Sequence, residues 1–165
     1  MPPRTWGAQL NLFRAILEKI GATGRVLILH IRGEKGAPTS DGPSKVCRQE
    51  VQRRVNRHQR IHIHCCTLGP HEVEAWGKTF PNAYFSFNAL VRSYNQEQRA
   101  ALSLLPRSRL LLETDSPHLP VGGGVIYATP AYIGEVGELV AEMRGDNLQA
   151  LLEQTRVNAQ ALYGP

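Results

Sequence analysis

Three apolar runs in this 165-residue chain each stop at a side chain able to hold a metal ion, and no other feature restricts the possible folds as much. In Leu110-Leu111-Leu112-Glu113-Thr114-Asp115-Ser116-Pro117 the run delivers Asp115 to a turn closed by proline. Arg25-Val26-Leu27-Ile28-Leu29-His30 ends in an imidazole, and the shorter Arg60-Ile61-His62-Ile63-His64-Cys65 ends in His64. Short continuous apolar runs read as buried strands. Two imidazoles and a carboxylate at strand ends suit zinc, manganese or a similar ion.

The segments between the runs read as helices and loops. From about Trp6 to Ile20, Leu10, Phe13, Ile16, Leu17 and Ile20 form one apolar stripe, which Gly21 and Gly24 end. A loop rich in Gly, Pro, Ser and Thr from Gly33 to Pro43 precedes an arginine-rich helix over Lys45 to His58. Gly69-Pro70 opens a short helix through Trp76, Pro81-Asn82 turns into a third strand at Ala83-Tyr84-Phe85-Ser86-Phe87, and a helix from Gln96 to Leu105 breaks at Pro106. Beyond the last strand, Gly122-Gly123-Gly124 reads as a mobile loop and Ala131 to Met143 as a helix. Asp146 then caps a closing helix through Leu162. Four strands flanked by helices predict βα units and an α/β fold with a parallel sheet, in one domain over residues 1–165. In such sheets ligand chemistry sits at the carboxyl ends of the strands, where His30, His64 and Asp115 fall.

Composition narrows the surroundings. No apolar stretch is long enough to span a bilayer, and Met1-Pro2-Pro3-Arg4-Thr5-Trp6-Gly7 lacks the apolar core of a signal peptide, so no membrane and an intracellular setting, nuclear or cytoplasmic, are expected. Cys47, Cys65 and Cys66 are odd in number and read as reduced thiols. A formal charge of +5 favours polyanionic partners. For the arginines between Lys45 and His58, a solvated helix face is a more economical reading than a phosphate-contacting surface.

His30 with Arg32, the His64-Cys65 pair followed by Thr67 and Gly69, Glu113-Thr114-Asp115-Ser116-Pro117 and the closing Asn158-Ala159 with Leu162-Tyr163 resemble the TatD-type metal-dependent hydrolases in order and spacing. Ile61-His62-Ile63-His64-Cys65 and Phe80-Pro81-Asn82 look most like the vertebrate TatD domain-containing protein 2 branch. The resemblance implies a (β/α)8 barrel with two divalent metals, Mg, Mn or Zn, cleaving phosphodiester bonds in DNA and, in some members, RNA. It carries His30, His64 and Asp115 over as metal ligands, Asp115 also as the group that orients or deprotonates water, and Arg32 as a bidentate receiver of phosphate. The family's initial His-x-His pair and its fourth-strand glutamate have no counterpart here. The chain therefore resembles the C-terminal half of such a barrel, about four parallel strands with flanking helices, weak or inactive as given. Between His64 and Gly69 it has one position more than the family pattern. Two other readings stay open: a non-catalytic remnant that binds nucleic acid or a partner, and a metal-dependent carbon–nitrogen hydrolase.

Single residues carry plainer readings as well. A histidine after an apolar run is more often structural than a ligand, and only the three positions together alter that balance. His62 shares a face with His64 one layer deeper and reads as filler or support, and Glu113 as a group that hydrogen-bonds its neighbours. Of His58, in the arginine-rich helix, His71 and His118, only His118 lies near the expected mouth. Cys65 and Cys66 read as core, as do Tyr84, Phe85 and Phe87. With half the strands present the sheet is expected to be open, and Ile28, Ile63 or Phe85, according to register, to form an apolar patch on its inner face.

Overall fold

A computed structural model describes residues 5–21, 23–122, 124 and 126–164. Four parallel strands form one sheet in the order β1 (Leu27–His30), β2 (Ile61–His64), β3 (Ala83–Phe87) and β4 (Leu110–Leu112). The helices are α1 (Thr5–Ile20), α2 (Asp41–Arg54), α3 (Pro70–Thr79), α4 (Gln96–Leu104), α5 (Ile133–Arg144) and α6 (Leu148–Tyr163). Among the described residues β1 and β4 do not pair, so the sheet stays open. Among the described residues no helix is long and apolar enough to cross a membrane.

Register decides which side chains meet the helices. Leu29 pairs with Ile63, Ile63 with Phe85 and Phe85 with Leu110, and all four are buried against the helical layer. Side chains alternate across a strand. The opposite face therefore carries Ile28 and His30, His62 and His64, Tyr84 and Ser86, and Leu111 with Glu113 beyond it. This corrects the expected apolar inner patch. Ile63 and Phe85 are each 1% exposed beneath the helices, and of the three named residues only Ile28, at 56%, opens to the inner side. The inner face is polar because the strands spend their bulky apolar positions on the helices.

The helical layer closes over Trp76, whose ring meets Phe80 at 5.6 Å and whose Nε1–H donates to Ser44 Oγ at 2.8 Å. The arginine-rich helix starts earlier than expected, at Asp41, and ends at Arg54, so His58 lies in the turn after it. Nor is its charged face simply solvated. Arg48 pairs with Glu72 at 2.8 Å, and Glu50 gathers Arg14 of α1 together with Arg53 and Arg54. These guanidiniums, Arg14 foremost, hold the Glu50 carboxyl at about 2, below its ordinary 4.5. Its stabilising contribution is then complete above about pH 4.5 and is lost as pH falls toward about 2. Acid unfolding followed by circular dichroism is expected to show this loss, and Glu50→Gln to flatten the dependence in that window.

At the other end of the chain, Asn147 rather than Asp146 caps α6, its side chain accepting from the Ala150 N–H at 3.0 Å. Asp146 is taken up by Arg107 and Arg144. Pro130–Tyr132 forms a 3-10 turn before α5, so the helix expected from Ala131 begins at Ile133. Asn158 is buried, and its amide donates to the carbonyls of Arg107 and Leu110, both at 2.7 Å, tying α6 to the start of β4. Asn158→Ala strands those acceptors and is expected to cost about 1–3 kcal/mol, measured by denaturant unfolding. Of the Gly122-Gly123-Gly124 loop, Gly123 lies outside the described residues, as do residues 1–4.

Candidate functional site

The carboxyl ends of the strands bring three of the sequence-selected side chains together. His30 and His64 are register partners on β1 and β2, with ring centroids 5.3 Å apart. Asp115 follows β4, yet its Oδ1 reaches to 3.4 Å from His64 Nε2. It does so because the backbone turns at Asp115 itself, with φ +53°. Cys65, directly after His64, has φ +52°. Left-handed backbone at non-glycine residues costs roughly 1–3 kcal/mol each and gathers at functional sites. Cys65 is half-buried beside the site, where its Sγ accepts from Asn88 Nδ2 at 3.2 Å, whereas Cys66 is core as expected.

Glu113 organises the layer beneath. Its Oε2 accepts from Ser86 Oγ and lies 2.6 Å from His64 Nδ1, while Oε1 accepts from the Cys65 N–H at 2.8 Å and from Asn88 Nδ2 at 3.0 Å. A carboxylate only accepts, so His64 Nδ1 carries a proton and Nε2 faces Asp115. His62 lies deeper still, 8% exposed, with the Tyr163 hydroxyl 2.5 Å from its Nδ1. Its Nε2 is buried without a hydrogen-bond partner and stands 3.8 Å from Glu113 Oε2. Burial, and then the neighbouring His64, push the His62 pKa down to about 4, so the ring is neutral at pH 7. Burial also lowers that of His30, followed by the nearby His64 and Arg32.

Sequence reading placed His62 one layer down but had no signal for its link to Tyr163. It likewise missed Ser86 and Asn88 as partners of Glu113, since small polar residues around a strand end carry no distinctive spacing. Arg32 is exposed and has no ion-pair partner among the described residues. His118 is exposed too, its N–H donating to the Asp115 carbonyl at 2.8 Å, and His58, in the turn after α2, and His71, at the start of α3, are surface residues. Tyr84 departs from the core reading: it is half-buried on the inner face, beneath the Arg109 guanidinium at 5.5 Å.

Two ties hold the loops around the mouth. Ser40 Oγ and Thr67 Oγ1 share a hydrogen bond of 2.6 Å, and the Gly69 N–H donates to Asp41 Oδ1 at 2.8 Å. A Cβ on Gly69 would stand 2.8 Å from Asp41 Oδ2, which explains the glycine. A groove of about 1040 Å³ between α3 and α4 is lined by none of His30, His64 and Asp115. A smaller cleft of about 340 Å³ between α1 and α2 does have His30 and Arg32 on its wall.

Known proteins resemble this chain. An uncharacterised metal-dependent hydrolase of Escherichia coli, YcfH, is 36% identical over 104 residues, covering 61% of this chain and 38% of the bacterial protein. The human 3'-5' RNA nuclease TATDN2 is 34% identical over 109 residues, covering 63% of this chain and 14% of the human protein. The chain thus spans much less than two thirds of these relatives. The crystal structure of YJJV, a TatD homologue from Escherichia coli, superposes with a TM-score of 0.79 at 18% identity, covering 98% of this chain and 58% of that one. The four strands and flanking helices have the fold of that part of a TIM-type barrel. The profile of the family described as TatD related DNase matches residues 1–164, and the chain belongs to that family.

Proposed function

We propose that the chain is a TatD-type metal-dependent hydrolase acting on nucleic-acid phosphodiesters, with His30, His64 and Asp115 as its metal-holding residues. The observation that carries this reading is His64: one ring nitrogen is 2.6 Å from the part-buried Glu113 carboxylate, and the other faces Asp115 at 3.4 Å. A ligating histidine ordinarily has its far nitrogen held by a carboxylate in this way, and two imidazoles with a carboxylate suit magnesium less well than manganese or zinc. When bound, a divalent cation acidifies water and polarises a phosphoryl oxygen. Glu113 fixes the His64 tautomer, and the exposed Arg32 guanidinium, two residues beyond His30, receives a phosphate in bidentate fashion. Asp115 Oδ1 orients the attacking water or takes its proton.

Residues 1–165 make up, in this reading, one partial barrel domain whose turnover by itself is weak or nil. Holding two ions and leaving a position for water requires more than three ligands. The test is cleavage of single-stranded DNA, RNA and an amide substrate with magnesium, manganese or zinc, by the 165-residue chain and by a version extended at its N-terminus with the first strands of a TatD-type barrel. Metal-dependent phosphodiester cleavage by the extended protein, abolished by Asp115→Ala, is the expected result. Comparable turnover by both lengths would show that three ligands suffice. Amide cleavage alone would replace the substrate assignment with carbon–nitrogen hydrolysis, and nucleic-acid binding without turnover would favour the non-catalytic remnant.

A further inference from the structure

One buried polar group has no task in the strand-end site. His62 Nε2 is shut away from solvent, lacks a hydrogen-bond partner and faces Glu113. Donor atoms of His62, His64 and Glu113 all lie within 4.8 Å of one another. We propose that these three residues form an inner site for a borderline-soft divalent cation such as zinc, one layer below the strand-end site and in competition with it for His64.

The donor set and the tautomers support this. Ligands on a tetrahedral zinc about 2.0–2.1 Å away stand roughly 3.3 Å apart. Glu113 Oε2 is now 2.6 Å from His64 Nδ1 and 3.8 Å from His62 Nε2, so the first pair opens and the second closes by less than an ångström each. In the proposed site the Tyr163 hydroxyl, 2.5 Å from His62 Nδ1, accepts its N–H, the tautomer that leaves the Nε2 lone pair to the ion. Entry of the ion displaces the His64 Nδ1 proton. Nε2 takes up that same proton and donates it to Asp115, which withdraws His64 from the strand-end site. A neutral imidazole offers one lone pair, so it serves one site at a time. Only this competition rests on the function proposed above; the inner site does not.

A His30→Ala/Asp115→Ala variant of the 165-residue chain removes two strand-end groups and no inner one. Calorimetric titration with zinc, and with cobalt(II) followed by its visible absorption, is expected to show one bound equivalent. Adding His62→Phe is expected to weaken zinc binding at least tenfold. Tyr163→Phe, which keeps all three donors, should weaken it by about tenfold to hundredfold. Manganese binding to the otherwise unaltered chain is expected to survive His62→Phe and to be lost in the double variant, so failure at one site is read separately from failure at the other. No zinc bound by the double variant, or equal zinc affinity with and without His62, overturns the proposal. Should His62→Phe fail to fold by circular dichroism, unchanged zinc affinity in Tyr163→Phe overturns it.

Discussion

Replacing His64 with alanine is expected to lower the affinity of the strand-end site for manganese by roughly 10²–10³-fold. Four-ligand structural zinc sites are worth about 10–16 kcal/mol, or about 2.5–4 kcal/mol for each ligand. His64 is the hinge of this site, since its Nε2 faces Asp115, its ring lies 5.3 Å from that of His30, and its Nδ1 is held by Glu113. Glu113→Gln is expected to have a smaller effect, roughly 10–100-fold, because it alters orientation and basicity while every ligand remains. Calorimetric titration of both variants checks this ranking. His71→Ala, at an exposed position on α3, should bind as the unaltered chain does.

The largest expected loss of stability follows from Trp76→Ala. The indole is fully buried between the sheet and α2, against Phe80, and donates to Ser44 Oγ. Aromatic truncation in a core costs about 3–5 kcal/mol, a large share of the roughly 5–15 kcal/mol that holds a domain together. At about 2–4 °C per kcal/mol for a chain of this size, Tm is expected to fall by roughly 6–20 °C in calorimetry. Trp76→Phe keeps most of the volume and should lose much less. Because the site lies on the opposite face of the sheet, metal affinity below the transition should be unchanged in either variant.

What could be read from sequence follows from what leaves a local trace. Apolar runs that stop at a polar side chain announce both a strand and where it ends, so β1, β2 and β4 were legible, and with them the convergence of His30, His64 and Asp115 at one end of the sheet. The alternation on β2 likewise put His62 on the same face as His64. Register is not local. Whether Ile28, Ile63 or Phe85 faces the inner side depends on pairing with the next strand and on what the helices cover, and the expected apolar patch failed for that reason. The ends of α2 were blurred because Asp41-Gly42-Pro43 resembles a loop, although proline is at home in a first helical turn. Asp146 was the obvious cap by residue type, yet Arg107, distant in sequence, and Arg144, two residues before it, claim its carboxylate. The tie from Tyr163 to His62 spans 101 positions, and no periodicity or spacing encodes it.

Crystals of the chain soaked in manganese, with anomalous difference density collected at the manganese edge, test the central claim most directly. A peak enclosed by His30, His64 and Asp115 at the carboxyl ends of β1, β2 and β4 is the predicted result. A manganese peak away from these three side chains, or none at concentrations at which the chain binds manganese in solution, would contradict it.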